Sequence, residues 1–290
     1  IDTEYLNWHY LENPAGNACI GHISEKTQQL SNYALIPKKF ENFHGETISL
    51  GVGVDLAVHP KKQGKGFFRK TIENTYESGR SGDLQGILGI ANSQSSPRMV
   101  ESMGWKKLSN IPLRLLKLST SSTEVQSFKV SPELIKSGLI EESYTPSLPI
   151  NEVGYGPIWS NEILLWRLSR PSSNYTLHIS ESALLVTTEL IIYGVRIAVL
   201  LKVFPSAPQT LPLNTDSYAA TIAKYHKTPF VVYWGKNPLF HFNGLVIPRP
   251  LQPSPLDLVL HFFNNGAIAS SKLEDAFELS TFEFFDFDAF

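Results

Sequence analysis

Residues 55–76 read Asp-Leu-Ala-Val-His-Pro-Lys-Lys-Gln-Gly-Lys-Gly-Phe-Phe-Arg-Lys-Thr-Ile-Glu-Asn-Thr-Tyr, with Gly64 and Gly66 one residue apart among Lys61, Lys62, Lys65, Arg69 and Lys70. Glycine lets the backbone approach a ligand closely, and the first amides of a helix have no partner inside it. Such a turn can therefore hold an anion, and the lysines add a positive field. The chemistry on offer is the cradling of a phosphate, above all a pyrophosphate. Two elements must position it. The apolar, partly alternating run 48–58 predicts a strand before the turn. Phe68, Ile72 and Tyr76, at helical spacing with charges between them, predict a helix after it. A basic turn that is merely solvated is the competing reading.

Spacing decides which cradle this is. A P-loop needs Gly-x-x-x-x-Gly-Lys-Ser/Thr and a dinucleotide turn needs Gly-x-Gly-x-x-Gly; neither occurs. Val58-His59-Pro60 followed by Lys61, Gln63, Gly64, Lys65 and Gly66 resembles the Gln/Arg-x-x-Gly-x-Gly/Ala signature of the GNAT superfamily of acyl-CoA-dependent N-acyltransferases. A second stretch is similar to the same family in the same order. It runs Ile87-Leu88-Gly89-Ile90-Ala91-Asn92, then Ser95-Ser96-Pro97, then Met103-Gly104-Trp105. Local chemistry fits a strand ending at Asn92 and a short helix: Ser96 as cap, Pro97 at the first helical position, Met99 and Met103 on one face, Gly104 as stop.

The resemblance implies a pantetheine arm along the backbone of Leu56, Ala57 and Val58. It puts the pyrophosphate on Gln63, Gly64, Lys65, Gly66 and Phe67, with Lys61 at the Gln/Arg position and Asn92 facing the arm. The co-substrate implied is acetyl-CoA or another acyl-CoA, attacked directly by an amine in a ternary complex. Such a site must orient both substrates, polarise the carbonyl and accept a proton. Asp55 is the first candidate base, with a strand-end Asp bonded to nearby amides as the equal alternative; Glu46 and His44 are substitutes. His59 suits the cofactor's edge. One departure stands out: where family members carry a Tyr four residues before the Gly-aromatic pair, this chain has Val100.

The wider sequence narrows the classes. The chain has 290 residues and a net charge of -2, which gives no reason to expect nucleic acid. One cysteine, Cys19, excludes an internal disulfide, and no metal is expected from scattered histidines without ligand spacing. A Gly-x-Ser-x-Gly elbow is absent. The most apolar stretch, 183–204, is interrupted by Glu189, Arg196 and Lys202, which argues against a membrane span. A cytoplasmic location is expected. The chain begins at Ile1, and the strand and helix that usually open a GNAT domain are not visible, so a trimmed chain or fragment is expected. The opening, Asp2 to Gly16, resembles a group of bacterial GNAT proteins found among surface-polysaccharide genes.

Strands are expected at 18–24, 30–37, 84–91 and 105–118, a loop at 38–45, and a linker in the polar run 119–123. The second half repeats the plan: Trp166 to Pro171 echoes Trp8 to Pro14, strands follow at 175–179, 184–192, 195–204 and 229–234, and a helix at 217–226. Asn237 and Asn243-Gly244 echo Asn92 and Gly104. The loop after Phe204, however, has prolines and no glycine or basic residue, so it cannot make the same cradle. The expected fold is α/β (α+β), two GNAT-like domains, each a mixed, mostly antiparallel sheet flanked by helices. Residues 1–120 would bind acyl-CoA and 121–290 would be a degenerate copy. The expected reaction is N-acetyl transfer to a primary amine of a small molecule, an amino sugar or nucleotide-linked sugar foremost. A FemAB-like aminoacyltransferase acting on a cell-wall precursor and a non-catalytic CoA-binding scaffold are the alternatives. The chain gives no oligomeric state.

Overall fold

The computed structural model describes residues 2–120, 123–145, 154–207, 212–263 and 277–287. In chain order the first elements are α1 (Thr3–Tyr10), β1 (Cys19–Glu25), β2 (Gln28–Asn42), β3 (Thr47–Val58), α2 (Phe67–Ser81), β4 (Gly86–Ala91), α3 (Ser95–Met103) and β5 (Lys106–Asn110). Next come β6 (Leu113–Leu116), β7 (Gln126–Lys129), α4 (Pro132–Ile135), α5 (Leu139–Glu142), β8 (Tyr155–Pro157), α6 (Asn161–Leu168), β9 (Thr176–Ile179), β10 (Ala183–Ile192) and β11 (Val195–Pro205). The remainder is β12 (Leu213–Asn214), α7 (Asp216–His226), β13 (Val231–Lys236), β14 (Phe240–His241), β15 (Gly244–Val246), β16 (Asp257–Phe262) and β17 (Phe282–Glu283).

The chain divides into two compact units, Ile1–Asn110 with Ser254–Leu279, and Ile111–Pro253 with Ser280–Phe290. The first holds a sheet in the order β1-β2-β3-β4-β16-β5, in which only β3 and β4 run parallel. One face of this sheet is covered by α2 and α3: Ile72 and Met99 join Tyr33, Leu35, Leu84, Ile87, Trp105 and Val259 in a single buried cluster. Ile72 is fully buried because Phe68, Ile72 and Tyr76 form one stripe of the amphipathic α2.

The second unit repeats this order. Its sheet runs β15-β6-β13-β11-β10-β9-β7, with β11 and β13 parallel as β3 and β4 are. The helix α7 lies between those two strands in sequence, and its Tyr218, Ala219 and Ile222 pack on Leu200 and Tyr233. The repeat is reciprocal in one respect. The strand beside β4 is β16, from late in the chain, and the strand beside β13 is β6, from early in it.

Three expectations need correction. The loop expected at 38–45 is mostly strand, because Phe40, paired with Ile48, is fully buried and carries the alternation onward. The strand expected over 105–118 is two strands in different sheets, broken at Ile111-Pro112, where proline has no amide for a ladder. The division between units therefore falls at 110/111 and not in the polar run 119–123, and the first unit takes back residues 254–279. No helix among the described residues is long and apolar enough to cross a membrane.

Candidate functional site

The site begins where two parallel strands part. Pairing between β3 and β4 runs from Leu50 and Gly86 to Gly53 and Gly89 and stops, while β3 continues for five residues. A bulge coincides with the parting: Ala34 faces Val54, Asn32 faces Ala57, and the intervening Tyr33 opposes both Asp55 and Leu56. Asp55 adopts the left-handed conformation, φ 54°. A bulge of this kind bends the strand and re-aims its edge. The His59 amide donates to the Leu30 carbonyl at 2.8 Å, continuing the ladder of Ala57 with Asn32. By strand alternation Leu56 and Val58 then turn their amides and carbonyls away from β2, to the open edge.

That edge leads into the glycine turn. His59 caps a short 3₁₀ turn over Pro60–Lys62 by accepting from the Lys61 amide. Gly64 and Gly66 follow with φ of 73° and 80°. A Cβ at either position would meet nothing within 4 Å, so glycine is required by the sign of φ and not by crowding. The first bond of α2 is from the Lys70 amide to the Gly66 carbonyl. Among the described residues no group accepts the amides of Gly64, Gly66, Phe67, Phe68 or Arg69. These donors and the positive end of α2 make an anion seat. Lys61, Gln63 and Lys65 are exposed around it, and the Gln63 side chain bonds back to the Val58 carbonyl. Lys62 is turned aside, paired with Glu25 at 2.9 Å and set over the Phe67 ring.

The candidate acid–base groups separate. Asp55 lies at the bulge, exposed, and its Oδ2 accepts from the Tyr10 hydroxyl at 2.7 Å. Burial, followed by the hydrogen bond and charge of Asp55, pushes the Tyr10 phenol well above its usual range, so it stays protonated. The structure does not bring His44 and Glu46 to this place. They sit in the β2–β3 hairpin, with Glu46 nine and His44 eleven residues before Asp55, about 30 Å or more of extended chain. Glu46 accepts there from the Asn42 side chain, and the His44 ring meets Phe43 edge-on.

Asn92 ends β4 but turns its Oδ1 to the amides of Gln94 and Ser95, at 2.9 and 3.0 Å, and so caps α3. Ser96, the expected cap, is buried one residue inside that helix, which stops as expected at Gly104, φ 72°. Val100 packs against the helix-side core. Near it the Tyr76 hydroxyl accepts from the Trp105 indole, the His261 ring stacks on both, and burial pushes His261 down to about 4. Sequence reading missed Tyr10 and Tyr33. Tyr10 reads as ordinary helix core, and only the alternation of β2 opposite the 53–57 segment could have singled out Tyr33. Among the described residues no group of three His, Cys, Asp or Glu side chains could hold a metal.

In the second sheet the matching parting is filled from within. Pairing of β11 with β13 stops at Leu200 and Tyr233, and a bulge follows between Val186 and Thr187 opposite Leu200 and Lys202. Here β17 pairs with the end of β13. The Glu283 carboxylate bridges the two strands, accepting from the Val203 amide and from Asn237 Nδ2. Buried Lys202 pairs with Glu283 and Asp286, each at 2.9 Å. Burial opposes the Lys202 charge, but Asp286 and Glu283 outweigh it and hold the ammonium protonated. Burial pushes Glu283 up to about 7. Trp159 and Tyr233 supply further donors to the two carboxylates. An arm like the one imagined along β3 has no room here.

No family model matches this sequence, and no curated protein matches it. Solved structures do. The N-myristoyltransferase of Saccharomyces cerevisiae with bound myristoyl-CoA aligns with a TM-score of 0.54 at 12% sequence identity, over 89% of this chain and 73% of that one. A GCN5-related N-acetyltransferase from Anabaena variabilis aligns with a TM-score of 0.53 at 12% identity, over 89% of this chain and 64% of that one. Two mixed sheets flanked by helices, built in the strand order described, give this chain the GNAT-like fold of those N-acyltransferases.

Proposed function

We propose that the protein is an N-acyltransferase that uses acyl-CoA, through its first unit, to acylate the primary amine of a small, water-soluble acceptor in the cytoplasm. The observation that carries the reading is the continuity of the open edge of β3, at Leu56 and Val58, with the unbonded amides of Gly64, Gly66, Phe67, Phe68 and Arg69. The residues fit the group. An amide-bearing arm can pair with a strand edge, and a pyrophosphate matches amides at a helix start under positive charge. Asp55, exposed at the end of that edge and held by Tyr10, is the proton acceptor for the incoming ammonium. Once deprotonated, the amine attacks the thioester carbonyl directly within one complex, the C–N bond forming and the C–S bond breaking as CoA leaves as its thiolate. An amino sugar or nucleotide-linked sugar is the leading acceptor class.

Binding tests this first. Titration calorimetry of CoA and acetyl-CoA into the wild-type protein is expected to give saturable binding that disappears in Gly64→Glu/Gly66→Glu. Folded wild-type protein that binds neither compound would contradict the reading.

A further inference from the structure

We infer that the site accepts only short acyl groups, because Tyr33 and Trp105 close the far end of the cleft. This rests on the acyl-CoA reading of the first unit. An arm leaving the anion seat and following the edge at Val58 and Leu56 travels toward Gly53 and Gly89, where β3 and β4 rejoin. That is five residues, about 17 Å of strand. The thioester end of the arm therefore arrives at the apex of the parting.

Beyond the apex the sheet is closed, and side chains lie directly on its backbone. A methyl group placed on Gly53 would collide with the Tyr33 ring, its Cζ 2.6 Å away. One on Gly89 would meet Val259 Cγ2 at 2.8 Å and Trp105 Cζ3 at 3.1 Å. One on Gly51 would meet Leu35 Cβ at 2.7 Å and Leu84 Cδ1 at 2.9 Å. Gly51 and Gly53 on β3, and Gly89 beside Gly53 on β4, thus have no space for a single carbon on the helix side. On the other face Leu50, Val52 and Leu88 are buried as well. An acyl chain has no continuation past its first carbons.

Polarity reinforces the limit. The Tyr33 hydroxyl lies at the apex, against Gly53, on a residue only 2% exposed. Methylenes pressed against it would strand a buried donor, whereas a carbonyl oxygen arriving there could accept from it. Interiors packed this closely do not yield a channel without displaced side chains.

The test is calorimetric competition with CoA, acetyl-CoA, butyryl-CoA and octanoyl-CoA. In the wild-type protein acetyl-CoA is expected to bind within about threefold of CoA, and octanoyl-CoA at least tenfold more weakly. Tyr33→Ala, which opens a ring-sized space at the apex, should recover at least tenfold for octanoyl-CoA while CoA itself is unchanged. If that variant does not fold, Tyr33→Leu gives the same direction with a smaller recovery. Octanoyl-CoA binding as tightly as acetyl-CoA in the wild type, or no recovery in either folded variant, would overturn the inference. Loss of all CoA binding would instead overturn the acyl-CoA reading beneath it.

Discussion

At the scale of single residues the site depends on backbone signs as much as on side-chain types. Gly64, Gly66 and Asp55 all take positive φ, and each marks a place where the chain must turn a donor or acceptor outward. Aspartate and asparagine tolerate the left-handed region better than most residues, so Asp55→Asn should fold and leave CoA affinity unchanged. If Asp55 takes the ammonium proton, the same variant should lower amine-dependent release of CoA thiol by about 10²-fold, measured across a panel of primary amines. Unchanged turnover would return Asp55 to a structural role beside Tyr10. The left-handed aspartate was not legible in the sequence, because an Asp inside an alternating apolar run gives no sign of a bulge. The glycine turn was legible, since two glycines among lysines between a strand pattern and a helix pattern leave few other conformations.

At the scale of elements, periodicity read the helices and most strands, and it failed where pairing is decided at a distance. Phe40 extends β2 because it finds Ile48 across the hairpin, not because its neighbours are apolar. The second sheet shows another product of register. Aligning β7, β9, β10 and α7 brings Ser127, His178, Thr187, His226 and Glu189 into one hydrogen-bonded chain. Burial, with a smaller contribution from His226, pushes His178 down to about 3, and burial lowers His226 too, against the pull of Glu189. Both therefore resist protonation more in the folded than in the unfolded chain, which protonates them near the ordinary value of about 6.5. The unfolded state then binds more protons below that pH, so this stabilisation is complete above about 6.5 and lost as pH falls. Urea unfolding at pH 7 and pH 5 should show the drop, at up to about 1.4 kcal/mol per pH unit for each histidine. His178→Gln should flatten it, and a wild-type midpoint equal at the two values would refute the assignment.

At the scale of the whole molecule, the repeat was visible in sequence but the exchange of strands was not. Matching patterns, such as Asn92 after β4 and Asn237 after β13, are local and can be seen in one dimension. Which sheet receives β16 is decided by the vacancy between β4 and β5, and nothing within 257–262 announces it. The consequence is testable. A fragment ending at residue 120 lacks the strand between β4 and β5, and leaves Val259 and Phe263 missing from the helix-side core. It should show no cooperative unfolding by circular dichroism, whereas residues 1–110 joined to 254–279 by a flexible linker should. A cooperatively folded 1–120 fragment would mean that β16 is dispensable. The same scale explains why one chain with two similar sheets is assigned one cleft: β17 and the Lys202–Glu283–Asp286 cluster fill the second parting, while none of the described strands fills the first.

That contrast is tested most directly by hydrogen exchange followed by mass spectrometry, with and without saturating CoA. New protection is expected in peptides covering residues 54–70, where the Leu56 and Val58 amides and those of Gly64, Gly66, Phe67, Phe68 and Arg69 meet the ligand. Residues 198–205 and 280–287 should be slow to exchange in both states, because they already occupy each other. Protection appearing in the second pair of segments, with none in 54–70, would place the ligand in the wrong sheet and contradict the account.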